Sequence, residues 1–195
     1  MGEKIVNVPN ALSFYRILVF PYIFYLLLSG NEKMFAIFLC INLLTDFLDG
    51  FIARTFNQIT RLGARLDSLA DYGTYILAFF GLFIFKSDDL RGNSWILYLF
   101  ILFMLITQAI HFYKFSTFSS FHLYSFKTTG YLHGILFFLW FFIGFYPVYY
   151  YFAMTFGILS EFESVATTIV LKEKRSNAKG LYWILKERQS SYTIT

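Results

Sequence analysis

Six long runs of apolar residues are separated by short polar connections. They run at about 12–28, 34–53, 66–85, 95–112, 130–146 and 149–171. A helix that crosses a bilayer needs about 20 mostly apolar residues. The runs are too long for strands and show no alternation of period two. They therefore predict an all-α integral membrane bundle of six transmembrane helices rather than a barrel. Only 14% of the residues are charged, against about 25% in soluble domains, and 23% are aromatic, which excludes an ordinary soluble globule and a disordered tail. The single cysteine, Cys40, excludes an internal disulfide. The net charge of +4 comes from basic residues set between apolar runs, which points to an anionic membrane surface or substrate and away from nucleic acid.

The organisation expected is one membrane domain over 1–171 and a basic, amphipathic cytoplasmic tail over 172–195. In the tail, Leu181, Trp183, Ile184 and Leu185 lie beside Lys179, Lys186 and Arg188, as in an interfacial helix. Arg16 precedes a short apolar run, but no small-residue cleavage site follows and five further spans do, so a signal peptide is not expected. Val6 stands where a myristoylation motif needs Ser or Thr. With six spans both termini share a side, and that side holds thirteen of the sixteen lysines and arginines, the other three being Lys33, Lys86 and Arg91. The positive-inside rule then puts both termini, and the 54–65 connection, in the cytoplasm.

Four carboxylates break the apolar pattern. A charge inside an apolar helix costs about 2.5–3.5 kcal/mol on the mildest scale. Asp46 and Asp49 are three apart near the end of the second run; Asp67 and Asp71 are four apart at the start of the third. Each pair shares a helical face, and a connection of about a dozen residues puts both pairs at similar depth. Something cationic must hold them. Arg54, Arg61 and Arg65 are nearby, and a surface ion-pair cluster is one reading. Oxygen-only donors on rigid helices suit magnesium or manganese, and four carboxylates suffice to bridge two such ions. The set contains no His or Cys, against zinc. Gly50, Ala53 and Gly63 would leave room beside such ions.

The string TDFLDGFIARTFNQITRLGARLDSLAD resembles the signature of the CDP-alcohol phosphatidyltransferases, D-x-x-D-G-x-x-A-R, eight residues, then G-x-x-x-D-x-x-x-D. Asp46, Asp49, Gly50, Ala53, Arg54, Gly63, Asp67 and Asp71 meet every defined position. The six-span layout is also the family's usual one. The resemblance implies transfer of a phosphatidyl group from CDP-diacylglycerol to an alcohol, with release of CMP, in phospholipid biosynthesis. It implies that Asp46, Asp49 and Asp67 hold metal, that Asp71 is a metal ligand and general base, and that Asp46, Gly50, Ala53, Arg54 and Gly63 serve the CDP site. It also implies a homodimer.

The opening VPNALSFYRILVFP resembles the start of phosphatidylglycerophosphate and cardiolipin synthases, through Pro9, Asn10, Leu12, Ser13 and Arg16. A plainer reading has Asn10 or Ser13 capping a helix and Arg16 snorkelling to the interface. Glycerol 3-phosphate is the first choice of acceptor, with inositol phosphate, serine and phosphatidylglycerol as alternatives. Arg61, Arg65 and Lys127, the last read as part of a cytoplasmic loop with His122, are the candidate acceptor-binding cations. Glu161 and Glu163 lie inside the sixth run without an assigned partner. An aspartate-rich membrane prenyltransferase and a cation transporter are the competing classes. The small size and the lack of a targeting segment point to a bacterial inner membrane, with the site facing the cytoplasm.

Overall fold

The computed structural model describes residues 7–56, 58, 60–116, 123–171, 173 and 179–192; for Arg54, Arg61, Ala64 and 188–192 it describes the backbone alone. Val6, His122 and Lys172 lie outside the described residues. Every regular element among the described residues is helical: α1 (Val8–Leu28), α2 (Glu32–Thr55), α3 (Arg61–Phe85), α4 (Ser87–Leu90), α5 (Ser94–Phe115), α6 (Tyr124–Phe142), α7 (Pro147–Val170) and α8 (Leu181–Tyr192). Four of them, α1, α2, α3 and α5, are long and apolar enough to cross a membrane. The expected fifth and sixth runs are also helices, of 19 and 24 residues, but fall outside that set of four.

The helix starts are written locally. Asn7 is extended and its side chain accepts the Asn10 amide at 2.9 Å, with Pro9 in the first turn, where its missing N–H is not needed. Asn31 caps α2 after Gly30, whose φ of +72° carries the turn out of α1. Thr60 is extended and accepts the Gly63 amide at 2.9 Å, opening α3. The capping residue of α1 is therefore Asn7, not Asn10 or Ser13. The connection between α2 and α3 is also shorter than the expected dozen residues, spanning only Phe56–Thr60. Lys127 sits in the first turn of α6 rather than in a loop, because that helix begins at Tyr124, before the apolar run does.

The chain divides into two units. The first comprises 1–91 and 140–144, the second 92–139 and 145–195. In the first unit α1 packs on both α2 and α3. Gly73 of α3 admits the Phe20 ring of α1, and Gly81 admits Phe35 of α2; a Cβ at either would collide with the ring. The ends of α2 and α3 remote from the aspartates are tied by Lys86 to Glu32 at 2.6 Å, and Trp140 donates to Asp89 at 2.7 Å. In the second unit α5 packs on α7, and α8 returns to α7. Leu123, Leu171 and Ile184 form a small core there. Leu18, Tyr25, Leu44, Leu69, Ile76 and Leu105 are among many large apolar side chains left exposed. Water-soluble monomers rarely present such a surface.

A carboxylate quartet closed by a buried arginine

The site lies wholly within the first unit. Asp46 and Asp49 come from the last turns of α2, Asp67 and Asp71 from the early turns of α3, and α1 lays a third polar stripe against them, Asn10, Ser13 and Arg16. These three are spaced i, i+3 and i+6, so they lie along one helical face. All three are buried.

Arg16 occupies the centre. Its Nη1 donates to Asp46 Oδ1 at 2.7 Å and to Asp71 Oδ1 at 2.9 Å, and its Nη2 to Asp49 Oδ2 at 3.1 Å and Asp67 Oδ1 at 2.6 Å. Each nitrogen thus joins one aspartate of α2 to one of α3. The guanidinium side chain is 1% exposed, Asp49 4%, Asp67 30%, Asp46 43% and Asp71 44%. Asp49 is the floor of the site, and Asp46 and Asp71 are its open rim. Arg16 therefore does not snorkel, and among the described side chains it is the cation that bridges all four carboxylates. Nothing in the spacing of the acidic signature singles it out, because its partners lie 30 to 55 residues away.

Ser13 donates to Asp49 Oδ2 at 3.0 Å, which gives the most buried carboxylate a second donor. Asn10 and Thr60 interlock: Asn10 Nδ2 donates to the Thr60 hydroxyl, and that hydroxyl donates to Asn10 Oδ1, both at 3.1 Å. Asn7 Nδ2 donates to the Gln58 carbonyl at 3.2 Å. The start of α1 is thereby fastened to the connection that carries the aspartates from α2 to α3. At Gly63 a Cβ would collide with Asn10 Oδ1 and lie 2.9 Å from Thr60 Oγ1. The room at Gly63 is therefore filled by α1, contrary to the expectation that it stands open beside an ion.

Whether a divalent ion suits this site is decided by its donors. Asp46, Asp49 and Asp67 each offer an oxygen, and these oxygens lie within 4.8 Å of one another. Oxygen ligands at 2.0–2.6 Å from one ion stand at most about 4–5 Å apart. Asp71 reaches the group through Arg16 Nη1. Arg16 uses one oxygen of each carboxylate, and each carboxylate has two. The donor set is hard, anionic and convergent, so the residues fit magnesium or manganese.

Gly50 and Ala53 follow Asp49 on α2, both half-buried. Arg54 and Arg61 stand in the last turn of α2 and at the first residue of α3, with their side chains outside what is described. Arg65 is exposed on α3. Lys127 belongs to the second unit, where its Nζ lies 5.5 Å from the centre of the Tyr124 ring. Glu161 is buried in that unit beside Thr107. Glu163 Oε1 accepts the Leu181 amide at the start of α8 at 3.0 Å. Glu163 thus has a structural partner within its own unit.

The family described as CDP-alcohol phosphatidyltransferase matches residues 6–170. Among individual proteins, the chain is 47% identical over 66 residues to the CDP-diacylglycerol–glycerol-3-phosphate 3-phosphatidyltransferase of Aquifex aeolicus, covering 34% of this chain and 37% of that one. The protein of the same name from Escherichia coli K12 is 40% identical over 68 residues, and that from Salmonella choleraesuis 41% over 68, each covering 33% of this chain and 37% of the relative. The chain thus spans little more than a third of the length of the curated relatives it matches. No solved structure matches it.

Proposed function

The chain belongs to the CDP-alcohol phosphatidyltransferase family, and from that membership we propose that it transfers the phosphatidyl group of CDP-diacylglycerol to the hydroxyl of glycerol 3-phosphate, releasing CMP. The observation that carries the reading is the convergence of Asp46, Asp49, Asp67 and Asp71, from two helices, on one point. Family membership stands against the prenyltransferase and cation-transporter readings. The choice of acceptor draws support from the names of the relatives.

Asp46, Asp49 and Asp67, with Asp71, would hold magnesium or manganese, in a number of ions that four carboxylates allow to reach two. Such an ion, when bound, supplies the positive charge that offsets the pyrophosphate of the donor. Asp71, which with Asp46 forms the open rim of the quartet, takes the proton of the acceptor hydroxyl, the role that the family resemblance implies for it. The oxygen so freed forms a bond to the phosphatidyl phosphorus as the bond from that phosphorus to the CMP oxygen breaks. Gly50, Ala53 and Arg54 lie on the CDP side, and Gly63 serves the site by admitting Asn10. Phe47, Leu48 and Phe51, exposed on α2 between and beyond the aspartates, offer the lipid tails an apolar surface. Arg61 and Arg65 of the first unit are the candidate cations for the acceptor phosphate. The protein works as an integral membrane bundle of six spans with its site toward the cytoplasm, as a homodimer, with residues from 172 onward as a cytoplasmic tail.

The test is CMP release by purified full-length protein, given CDP-diacylglycerol with magnesium or manganese and one acceptor at a time. Release that requires glycerol 3-phosphate, and that EDTA abolishes, is expected. Release with serine, inositol phosphate or phosphatidylglycerol alone would overturn the acceptor assignment, and no release with any acceptor would overturn the reaction. Asp71→Asn, with unchanged helix content, is expected to lose at least about 100-fold in rate.

A further inference from the structure

We propose that Arg16 competes with divalent ions for the four aspartates and so sets the metal affinity of the site, while its guanidinium holds α2 and α3 in register when no ion is bound. The inference rests on the reading of the quartet as a metal centre. Its starting point is the four-way contact: one planar group, almost wholly buried, donates to four carboxylates through two nitrogens, and each nitrogen spans α2 and α3.

Four like charges at this spacing repel one another strongly where water is scarce. With Arg16 in place the formal charge of the cluster is −3; without it, −4. Repulsion between α2 and α3 at this end is therefore offset by a group carried on α1. The helices stay close enough for Asp46, Asp49 and Asp67 to keep their oxygens within 4.8 Å of one another. A lysine could not reproduce this, because a compact ammonium lacks the planar fork that places two donors toward each pair of carboxylates.

A cation and a metal ion seek the same carboxylate charge. When an ion draws on these oxygens, the hold of Arg16 on them weakens, and by reciprocity Arg16 weakens the hold of the ion. The surroundings of Arg16 fix it in place: Ser13, one turn earlier, donates to Asp49, and Asn10, two turns earlier, is locked to Thr60. Arg16 is thus a positioning residue with a second effect on metal occupancy. A purely structural arginine would have the first effect without the second.

The experiment measures Mn²⁺ binding to the detergent-solubilised full chain without nucleotide, by the electron paramagnetic resonance signal of the free ion, and thermal unfolding with EDTA or with Mn²⁺. For Arg16→Gln the expected result is a Kd for Mn²⁺ at least about tenfold lower than that of the unaltered chain, since one positive charge has left the site. Its Tm in EDTA should fall, and Mn²⁺ should restore most of the loss. Arg16→Lys, which keeps the charge without the fork, should return the Kd toward the starting value and recover only part of the Tm in EDTA. Binding to Arg16→Gln that is unchanged or weaker overturns the proposal, as does an Arg16→Gln chain that stays unfolded in Mn²⁺. If the unaltered chain binds no Mn²⁺ that Asp46→Asn and Asp67→Asn remove, the metal-centre reading itself fails. That outcome is distinct from binding that is present but indifferent to Arg16.

Discussion

The aspartates are placed by neutral residues that take no charge themselves. Asn10, Thr60 and Gly63 form one contact in which an amide, a hydroxyl and a missing side chain fit together. Gly63→Ala puts a methyl group where Asn10 Oδ1 sits, so α1 must shift or the amide must turn away. Overpacking of this kind costs about 1–3 kcal/mol. Asn10→Ala leaves the buried Thr60 hydroxyl short of its partner, for a similar loss of about 1–3 kcal/mol. The two changes should not fully add: with the amide gone, the nearer of the two collisions is relieved and only the contact with Thr60 Oγ1 is left. Thermal unfolding in detergent should therefore show the double variant losing less than the sum of the two single losses, by about 1 kcal/mol or more, the coupling expected of touching residues. Full additivity would mean that Gly63 is not needed for the approach of Asn10.

The helices themselves are legible because their apolar runs are long and their caps local. Asn7, Asn31 and Thr60 each accept an amide three residues on, a signal a sequence carries openly. The aspartate pairs are equally plain, since i, i+3 and i, i+4 spacings fix a shared face. Arg16 was not legible as the centre of the site. A basic residue near a helix end looks like an interfacial anchor, and only the packing of α1 across α2 and α3 brings it to the carboxylates. The start of α6 is hidden from hydropathy for a related reason: its first turns are polar, with Ser125, Lys127 and Thr128, and hydropathy registers the helix only where the apolar run begins. Glu163 had no visible partner because that partner is a backbone amide 18 residues on. A carboxylate that accepts the first amide of α8 also meets the positive end of that helix. Glu163→Gln keeps an acceptor, whereas Glu163→Ala removes it at a cost of about 0.5–2 kcal/mol. Hydrogen exchange over 181–187 should quicken in the alanine variant and much less in the glutamine variant, while CMP release is retained in both. Equal protection in all three chains would show that α8 does not depend on this contact.

Across the whole chain, the central question is whether α6 and α7 cross the membrane with α1, α2, α3 and α5. Hydropathy alone sets them apart, since α6 carries Lys127 and His133, and α7 carries Glu161 and Glu163. A sum over side chains does not record where the polar groups point. In the second unit many of them point inward: Thr129 and Ser160 share a hydrogen bond of 2.8 Å, His133 meets the Ala153 carbonyl at 3.3 Å, and Glu161, Ser164 and Thr167 are buried, while Lys127 and Glu163 are half-buried. Outward, Ile135, Phe138, Phe152, Leu159 and Ile169 are exposed. This inside-out distribution is what a bilayer selects, with costly groups turned to the bundle and apolar ones to lipid. At 1.5 Å per residue, α7 with its 24 residues reaches about 36 Å, past a hydrocarbon core of about 30 Å, and α6 with 19 reaches about 28 Å, just short of it but within the range of about 17–25 residues that spanning helices use. The connection Ile143–Tyr146 separates the two topologies. With six spans it lies on the opposite side from the α2–α3 connection; with four it lies on the same side. In a Cys40→Ser background, Tyr146→Cys in inside-out vesicles should resist a membrane-impermeant maleimide until detergent is added, whereas Gln58→Cys should react at once. Immediate labelling at both positions would leave α6 and α7 on the cytoplasmic surface and end the six-span reading, while leaving the aspartate site of the first unit untouched.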